Sequence, residues 1–511
     1  MGKPRRSGGG FAAGQPAPEI KVRISEPPVS PIALEVLAMD LINQEKLQEA
    51  EAIYREIIAS GTSNHAVYVN LAAICGTQGR VDELIDLLNK ALELKPNCPG
   101  THYNLGKALE EHGDLSASIA SYSKALELNP HFPEAHSNLG NVLKAQGNLD
   151  AAIASYKKAL ELKPNYPEAL SNLGNALQEC GALSAAIASY NKALELKPNC
   201  PEVHNNLGNT LQEYGDLSAA IASYNKALEL KPNYPEALSN LGNALQDYGD
   251  LSAAIASYGK ALELEPHFPE AHNNLGNALK VQGDLDAAIT SYGKALDLEP
   301  HFPEARNNLG NALKVQGNLD AAIASYGKAL ELKPDYPDAH SNLGNALKAQ
   351  GKLDAAIASY NKALELKPNY ADAHNNLGNA LQEYGDIAAA IASYRKALAL
   401  KKDYPEAQSN LSMAELLIGD YKSGLERYEF RFQLNAGQRI MNAIPQCVQW
   451  NGDALEVNDE ILLVGEQGLG DTLQFMRYAF ALRRQGIQVS LCAPQNLHSL
   501  IKVSGIDRAP L

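Results

Sequence analysis

The sequence predicts an all-α fold, a solenoid of about twelve stacked helix pairs, followed by a short α/β fragment. The first observation is a 34-residue unit, clearest from Pro133 to Tyr166, that recurs almost unchanged along the chain. The second is that each unit contains two apolar patterns with helical spacing. The third is a strand-like apolar run before a glycine-rich turn near the C-terminus. A fixed period of this length indicates an array in which each unit packs on its neighbours.

The chain divides into four predicted segments. Residues 1–30 are rich in Gly, Pro and Ser and predict a disordered leader. Residues 31–431 form the predicted array, residues 432–458 a connector, and residues 459–511 a partial α/β segment. The units of the array begin at residues 31, 65, 99, 133, 167, 201, 235, 269, 303, 337, 371 and 405. The first and last units diverge from the others, as expected where one face of a stacked array meets solvent.

Within the unit from Pro133 to Tyr166 the sequence predicts two helices joined by a tight turn. Gly147 predicts the end of the first helix in a left-handed conformation, and Asn148 is a good N-cap for the second. Proline separates the units because it stops one helix and suits the first turn of the next. We expect Gly140 to let the paired helices approach closely and Tyr156 to fill the gap between neighbouring units.

The C-terminal segment has the pattern strand, turn, helix, strand. The predicted elements are a buried strand at Glu460–Val464, a glycine-rich turn at Gly465–Asp471, a helix at Thr472–Arg484 and a second strand at Ile487–Cys492. This order is one βαβ unit, the start of a parallel, Rossmann-like α/β domain. Because an isolated βαβ fragment cannot cover both faces of its sheet, we expect the segment to be a truncated relative of a larger domain.

Composition argues against several classes of function. The chain has 59 acidic and 44 basic residues, a formal net charge of −15. Non-specific nucleic-acid binding needs a basic surface, so no nucleic-acid partner is expected. No apolar run is long enough to span a bilayer, so no membrane partner is expected. The six cysteines lack metal-ligand spacing and predict free thiols in a reducing compartment, and hence a cytoplasmic protein without metal or cofactor.

The pattern of small and large positions in the unit resembles the tetratricopeptide repeat over roughly four-fifths of the chain. This resemblance implies a right-handed solenoid with a concave groove lined by the first helices. The sixth and ninth positions of each unit are three residues apart, so their side chains share one helix face. The fourth position carries recurring histidines that we expect to pack between helices: His102, His136, His204, His272, His340 and His374.

Both the sixth and the ninth positions are usually asparagine. The sixth-position residues predicted to bind a partner are Asn138, Asn172, Asn206, Asn240, Asn274, Asn308, Asn342 and Asn376, with Asn104 and Asn410 in the flanking units. The ninth-position residues are Asn141, Asn175, Asn209, Asn243, Asn277, Asn311, Asn345 and Asn379. Asparagine is a mediocre helix former, so its repeated use in a helix needs a reason. A side-chain amide is both donor and acceptor, which matches a peptide backbone.

The array is similar to that of O-linked N-acetylglucosamine transferases, in which a sixth-position asparagine ladder contacts the backbone of the protein substrate. The resemblance implies that the sixth-position residues hold an extended polypeptide with little regard to its sequence. Two alternatives stay open at the level of sequence: the asparagines bond neighbouring turns of the array itself, or they reflect recent duplication of one unit.

The segment from Trp450 to Gln495 resembles the start of a bacterial glycosyltransferase-like domain of the ADP-heptose glycosyltransferase family, a fold of two Rossmann-like halves. That resemblance implies a general-base role for Asp471, in a turn shaped by Gly468 and Gly470. A glycine turn entering a helix also offers backbone N–H groups to an anion. The alternative is that Asp471 only caps the helix that follows it.

The sequence thus supports two hypotheses of function. The first is an interaction scaffold that binds extended segments of other proteins or peptides in the groove of the array. The second is a glycosyltransferase that moves a sugar from a nucleotide sugar to a protein recruited by the array. The nucleotide sugar is expected as a partner only if the C-terminal domain is completed, so the chain as given is not expected to be active.

Overall fold

The computed structural model describes residues 30–428, 430, 454–464, 477–493 and 495–503. The predicted leader, except for Ser30, and most of the predicted connector lie outside the described residues. The chain divides into two compact units, Met1–Ala278 and Leu279–Leu511, and the division falls inside one helix. The described elements confirm the predicted fold class, because residues 30–428 are helical and the two strands lie near the C-terminus.

The helices of the first unit come in pairs, each pair matching one 34-residue repeat. They are α1 (Pro31–Asn43), α2 (Leu47–Ala59), α3 (His65–Thr77), α4 (Val81–Leu94), α5 (Pro99–His112), α6 (Leu115–Leu128), α7 (Pro133–Ala145), α8 (Leu149–Leu162), α9 (Pro167–Glu179), α10 (Leu183–Leu196), α11 (Pro201–Tyr214), α12 (Leu217–Leu230), α13 (Pro235–Tyr248), α14 (Leu251–Leu264) and α15 (Pro269–Gln282), whose last residues belong to the second unit.

The second unit continues the same pattern and then changes to mixed α/β structure. Its elements are α16 (Leu285–Leu298), α17 (Pro303–Val315), α18 (Leu319–Leu332), α19 (Pro337–Ala349), α20 (Leu353–Leu366), α21 (Ala371–Tyr384), α22 (Ile387–Leu400), α23 (Pro405–Leu417), α24 (Tyr421–Tyr428), β1 (Glu460–Val464), α25 (Arg477–Arg484), β2 (Gln488–Cys492), a 3-10 turn (Gln495–Leu497) and α26 (His498–Val503).

The turn inside each repeat is fixed by its sequence. Gly215 ends α11 with φ +96°, a left-handed conformation that suits glycine. Asp216 then caps α12, because its side chain accepts a hydrogen bond from the backbone N–H of Ala219 at 3.0 Å. Pro201 stands in the first turn of α11, where a missing N–H costs nothing. This chemistry explains why the first helix ends at the glycine, the second begins after the N-cap residue and the next repeat begins at the proline.

A glycine opposite a tyrosine forms the centre of most repeats. The ring of Tyr224 on α12 is fully buried against Gly208 on α11, and a Cβ added at Gly208 would lie 2.6 Å from its Cε1 atom. Tyr224 also packs with Leu241 and Ala244 of the next repeat. The tyrosine therefore fills the space between repeats, as expected, and its close contact with glycine joins the two helices of its own repeat.

The fourth-position histidines form a hydrogen bond that the sequence analysis did not foresee. In His136, Nε2 lies 3.2 Å from the carbonyl oxygen of Pro130, and in His374 it lies 3.1 Å from that of Pro368. Each ring therefore donates Nε2–H to the carbonyl at the end of the preceding helix pair, a group without an intrahelical partner. Leucine takes this position in three repeats, as Leu34, Leu170 and Leu238, so the histidine is not essential for the helix contact itself.

These histidines predict a loss of stability in mild acid. Burial lowers the pKa of His136 and His374 below the usual 6.5, and the proline carbonyls offset this only in part. The unfolded chain therefore takes up protons at a higher pH than the folded chain, so stability present above about pH 6.5 is lost below it. We expect the melting temperature to fall between about pH 7.5 and about pH 5, and less so in a His136→Leu/His374→Leu variant. An equal fall in that variant would assign the effect to other groups.

The last repeat is stabilised by a buried ion pair rather than by the glycine–tyrosine contact. Glu415 on α23 is fully buried, with one carboxylate oxygen 3.1 Å from Arg395 and the other 3.1 Å from Arg427. Ser412 takes the place of the glycine, and its hydroxyl donates to the carbonyl of Gly424 at 2.7 Å. The divergence of this repeat therefore reflects a different way of joining its two helices.

The C-terminal elements form the predicted βαβ order. Strands β1 and β2 are parallel, with Glu460 opposite Gln488 and Val464 opposite Cys492. The first strand has the predicted bounds, and the second begins one residue later than predicted. Val489 packs on α25 and Leu491 on α26, and both side chains lie on the same face of the sheet. On the other face Gln488 and Ser490 are exposed in the described structure, whereas Cys492 at the end of the strand is buried.

Candidate functional site

The sixth-position asparagines lie on the first helix of each repeat. They are half-buried from the repeat beginning at Pro133 onward, whereas Asn104, in the more divergent repeat before it, is exposed. A half-buried amide keeps part of its polar surface in contact with solvent. These side chains can therefore form hydrogen bonds both to a neighbouring repeat and to a ligand.

Neighbouring repeats are linked by hydrogen bonds between these amides. Asn172 Nδ2 donates to Asn141 Oδ1 at 2.9 Å, and Asn206 Nδ2 donates to Asn175 Oδ1 at 3.1 Å. In both cases the donor is a sixth-position residue and the acceptor is the ninth-position residue of the preceding repeat. Asn138 donates instead to the hydroxyl of Tyr103 at 3.1 Å.

The acceptor changes when the preceding repeat has asparagine at its fifth position. Asn240 Nδ2 then donates to Asn205 Oδ1 at 3.1 Å, and Asn342 Nδ2 donates to Asn307 Oδ1 at 3.0 Å. Asn410 makes the same bond, to Asn375. Where serine stands at the fifth position, as in the repeats before Asn172 and Asn206, the ninth-position residue accepts. In these five links the acceptor follows the residue at the fifth position of the preceding repeat, whereas Asn274 and Asn376, which also follow a serine, donate no such bond to a described residue.

The ninth-position asparagines also bind the buried tyrosines. The hydroxyl of Tyr224 donates to Asn209 Oδ1 at 2.7 Å, and that of Tyr258 donates to Asn243 Oδ1 at 2.6 Å. Burial raises the pKa of Tyr224 far above its usual range, so this hydroxyl stays protonated and remains a donor. The same bond recurs at Asn141, Asn175, Asn311, Asn345 and Asn379. The ninth-position residues thus have a structural role that the sixth-position residues lack.

The family models place these repeats among known proteins. Models described as the tetratricopeptide repeat match residues 223–256 and 371–404, and a TPR repeat model matches 243–283, 276–317, 310–351 and 344–385. The chain belongs to the tetratricopeptide repeat family. A further model, the C-terminal domain of cilia and flagella-associated protein 70, matches residues 11–236 of this tetratricopeptide repeat protein. Comparison with curated protein sequences finds no match.

Several solved structures are similar to this tetratricopeptide repeat chain. The Cut9–Hcn1 hetero-tetramer of the APC/C is 17% identical with a TM-score of 0.43, over 80% of this chain and 94% of that one. Yeast Tom70 is 18% identical with a TM-score of 0.40, over 80% of this chain and 97% of that one. MamA is 31% identical with a TM-score of 0.30, over 32% of this chain and 95% of that one.

A second set of contacts links the ends of the first helices of adjacent tetratricopeptide repeats. The residue at the twelfth position pairs with the acidic residue 35 positions later in the sequence. Lys144 Nζ lies 3.0 Å from Glu179 Oε1, and Gln212 Nε2 donates to Asp247 Oδ2 at 2.8 Å. These pairs were not predicted, although the recurring basic or amide residue with an acid 35 residues later is visible in the sequence.

The remaining candidate features are a surface depression, possible metal ligands, membrane-spanning helices and the C-terminal glycine turn. A depression of about 810 Å³ lies between α12, α13 and α14, and its lining includes Leu228, Leu238 and Leu264 but none of the sixth-position asparagines. In the described part of the chain, no group of His, Cys, Asp and Glu could hold a metal ion. No described helix is both long enough and apolar enough to cross a membrane. Asp471, Gly468 and Gly470 lie outside the described residues.

Proposed function

We propose that this protein is an interaction scaffold that holds an extended segment of another polypeptide along its first helices. The observation that carries this proposal is the row of half-buried sixth-position amides, one per repeat on equivalent surfaces. Tetratricopeptide repeats in general present such a surface to a partner. The resemblance to O-linked N-acetylglucosamine transferases implies that the amides contact the backbone of the bound polypeptide.

The hydrogen-bond capacity left at these amides supports the proposal. Asn172 has two N–H donors and one carbonyl acceptor, and it uses one N–H within the array. No described residue donates to its Oδ1 atom, so an acceptor and a second donor remain for a ligand. A peptide group has the same complement of one donor and one acceptor. The bond to the preceding repeat fixes the orientation of the amide, which reduces the entropy lost when a ligand binds.

The amide row predicts recognition of the backbone rather than of side chains. We expect a short unstructured peptide of uncharged residues and its scrambled version to bind the full chain with similar affinity, measured by fluorescence anisotropy. A version N-methylated at alternate residues should bind far more weakly, because each methyl group removes a backbone donor. Strong discrimination between the scrambled peptides, with no effect of N-methylation, would contradict the proposal.

The alternative is a glycosyltransferase, for which the array would recruit the protein acceptor. The observation that favours it is the parallel pairing of β1 and β2 around α25, the arrangement that opens a Rossmann-like half. Asp471 would be the general base, with Gly468 and Gly470 shaping an anion-binding turn. The cytoplasm is the compartment predicted from the sequence for either function.

The catalytic alternative has a direct test. We expect the chain as given to show no transfer or hydrolysis of a nucleotide sugar, because the sequence contains one βαβ unit where the family fold has two Rossmann-like halves. Turnover measured with labelled nucleotide sugars, and lost on Asp471→Asn, would establish the enzyme and displace the scaffold as the main function.

A further inference from the structure

Two lysines of the second unit lack the acidic partner found at the equivalent position elsewhere. In the first unit, Lys144 at the twelfth position pairs with Glu179, 35 residues later. For Lys280 and Lys314 the residues at this spacing are Val315 and Ala349, which carry no charge. Among the residues that the structure describes, neither lysine forms an ion pair.

Both lysines are half-buried, which makes their unpaired charge costly. Burial lowers the pKa of Lys280, and burial together with the charge of Lys280 lowers the pKa of Lys314. The two lysines occupy the same position on the first helices of consecutive repeats, α15 and α17. A negatively charged ligand would relieve both the desolvation and the repulsion.

The surface beside the lysines is apolar. Val281 and Val315 occupy the thirteenth position, and 61% and 64% of their surfaces are exposed. In the first unit the same position carries Glu179, Glu213 and Asp247. Beside Lys280 and Lys314 the chain thus has exposed aliphatic residues at the position where other repeats carry Glu179, Glu213, Asp247 or Glu383.

We propose that the first-helix surface formed by Lys280, Lys314, Val281 and Val315 binds acidic and aliphatic side chains of the extended polypeptide held by the scaffold. This inference rests on the proposed function and adds a side-chain preference to it. Charge complementarity selects the ligand, because these two unpaired lysines attract an acidic peptide whereas the chain as a whole, with a net charge of −15, repels one. Binding at this site would therefore fix which part of the peptide lies on which repeat.

The spacing of repeats sets the spacing of the acidic residues. Packed helix axes lie about 8–10 Å apart, and an extended chain advances about 3.3 Å per residue. Carboxylates about three residues apart would therefore reach lysines on successive first helices. The aliphatic residue that suits the exposed valines lies between them.

The test uses the full chain and two labelled probe peptides, one with two glutamates about three residues apart and an aliphatic residue between, the other with glutamines in their place. We expect wild type to bind the glutamate peptide at least about tenfold more tightly, since charge-assisted hydrogen bonds are the stronger ones. Lys280→Gln/Lys314→Gln should abolish the difference and leave binding of the glutamine peptide unchanged. Glutamine stands at this position in Gln178 and Gln212, so the substitution suits the fold.

Two further variants sharpen the test. Val315→Glu/Ala349→Glu supplies the missing acids and should abolish the preference as completely as removing the lysines. Lys144→Gln, the matched control, removes a lysine that already has a partner and should leave the preference intact. Equal binding of both peptides to wild type, or a preference that survives in the Lys280→Gln/Lys314→Gln variant, would overturn the inference while the scaffold stands. A preference that is insensitive to backbone N-methylation would support the lysine site and overturn backbone capture instead.

Discussion

Replacing Tyr224 by alanine is expected to lower the free energy of unfolding by about 3–5 kcal/mol, as for other buried aromatic side chains. The ring is fully buried, contacts Gly208 within its own repeat, and packs on Leu241 and Ala244 of the next. Its removal also leaves Asn209 Oδ1 without the hydroxyl that donates to it. Because repeats are stabilised mainly by their neighbours, hydrogen exchange should show the loss concentrated in residues 201–264. Urea unfolding followed by circular dichroism measures the total.

The glycine opposite the ring provides the control. Gly208→Ala places a Cβ 2.6 Å from Cε1 of Tyr224, and overpacking of this kind costs about 1–3 kcal/mol. The second repeat of the array combines Ala72 with Leu88 in one apolar cluster. A Gly208→Ala/Tyr224→Leu double variant copies that pair and should be more stable than the sum of its single substitutions predicts. Strict additivity would show that the ring and the glycine do not interact.

The sequence was sufficient to predict the helix pairs, their turns and the βαβ fragment. Gly215 and Asp216 show why: a left-handed glycine followed by an N-cap determines the local backbone without help from distant residues. The strand pair was predictable for a similar reason, since an apolar run in β1 and an alternating polar and apolar pattern in β2 lie on either side of a helical pattern.

The hydrogen bonds of the candidate site were not predictable in the same way. Asn240 bonds Asn205 although the ninth-position Asn209 also carries an amide oxygen, and the sequence shows that both acceptors exist but not which one lies within reach. Tyr122 shows the same dependence: the ninth position of its repeat is lysine, and its hydroxyl donates to Glu110 at 2.9 Å. The sequence therefore located the amides correctly on first helices but left open whether they serve the array or a ligand. The structure shows that Asn172, Asn206 and Asn240 each bond the preceding repeat and remain partly exposed.

Replacing Asn172, Asn206 and Asn240 together by alanine is expected to weaken binding of an unstructured, uncharged peptide by about two orders of magnitude. Each lost amide–backbone hydrogen bond is worth about 0.5–1.5 kcal/mol, and about 1.4 kcal/mol corresponds to a tenfold change in affinity. Fluorescence anisotropy with the full chain gives the affinity. Circular dichroism on the same sample should show unchanged helicity, because alanine is the better helix former.

The same substitution also removes three bonds between repeats, so stability and binding must be separated. The matched control replaces Asn191, Asn225 and Asn361, which are exposed on second helices. We expect that control to keep full affinity, and the first variant to keep its loss at low temperature, where both are fully folded. Retained affinity in the first variant would mean that the amides serve only the array. An equal loss in the control would mean that the peptide does not select the first helices. Comparison of the two variants therefore shows whether the first-helix amides contact the peptide or only link the repeats.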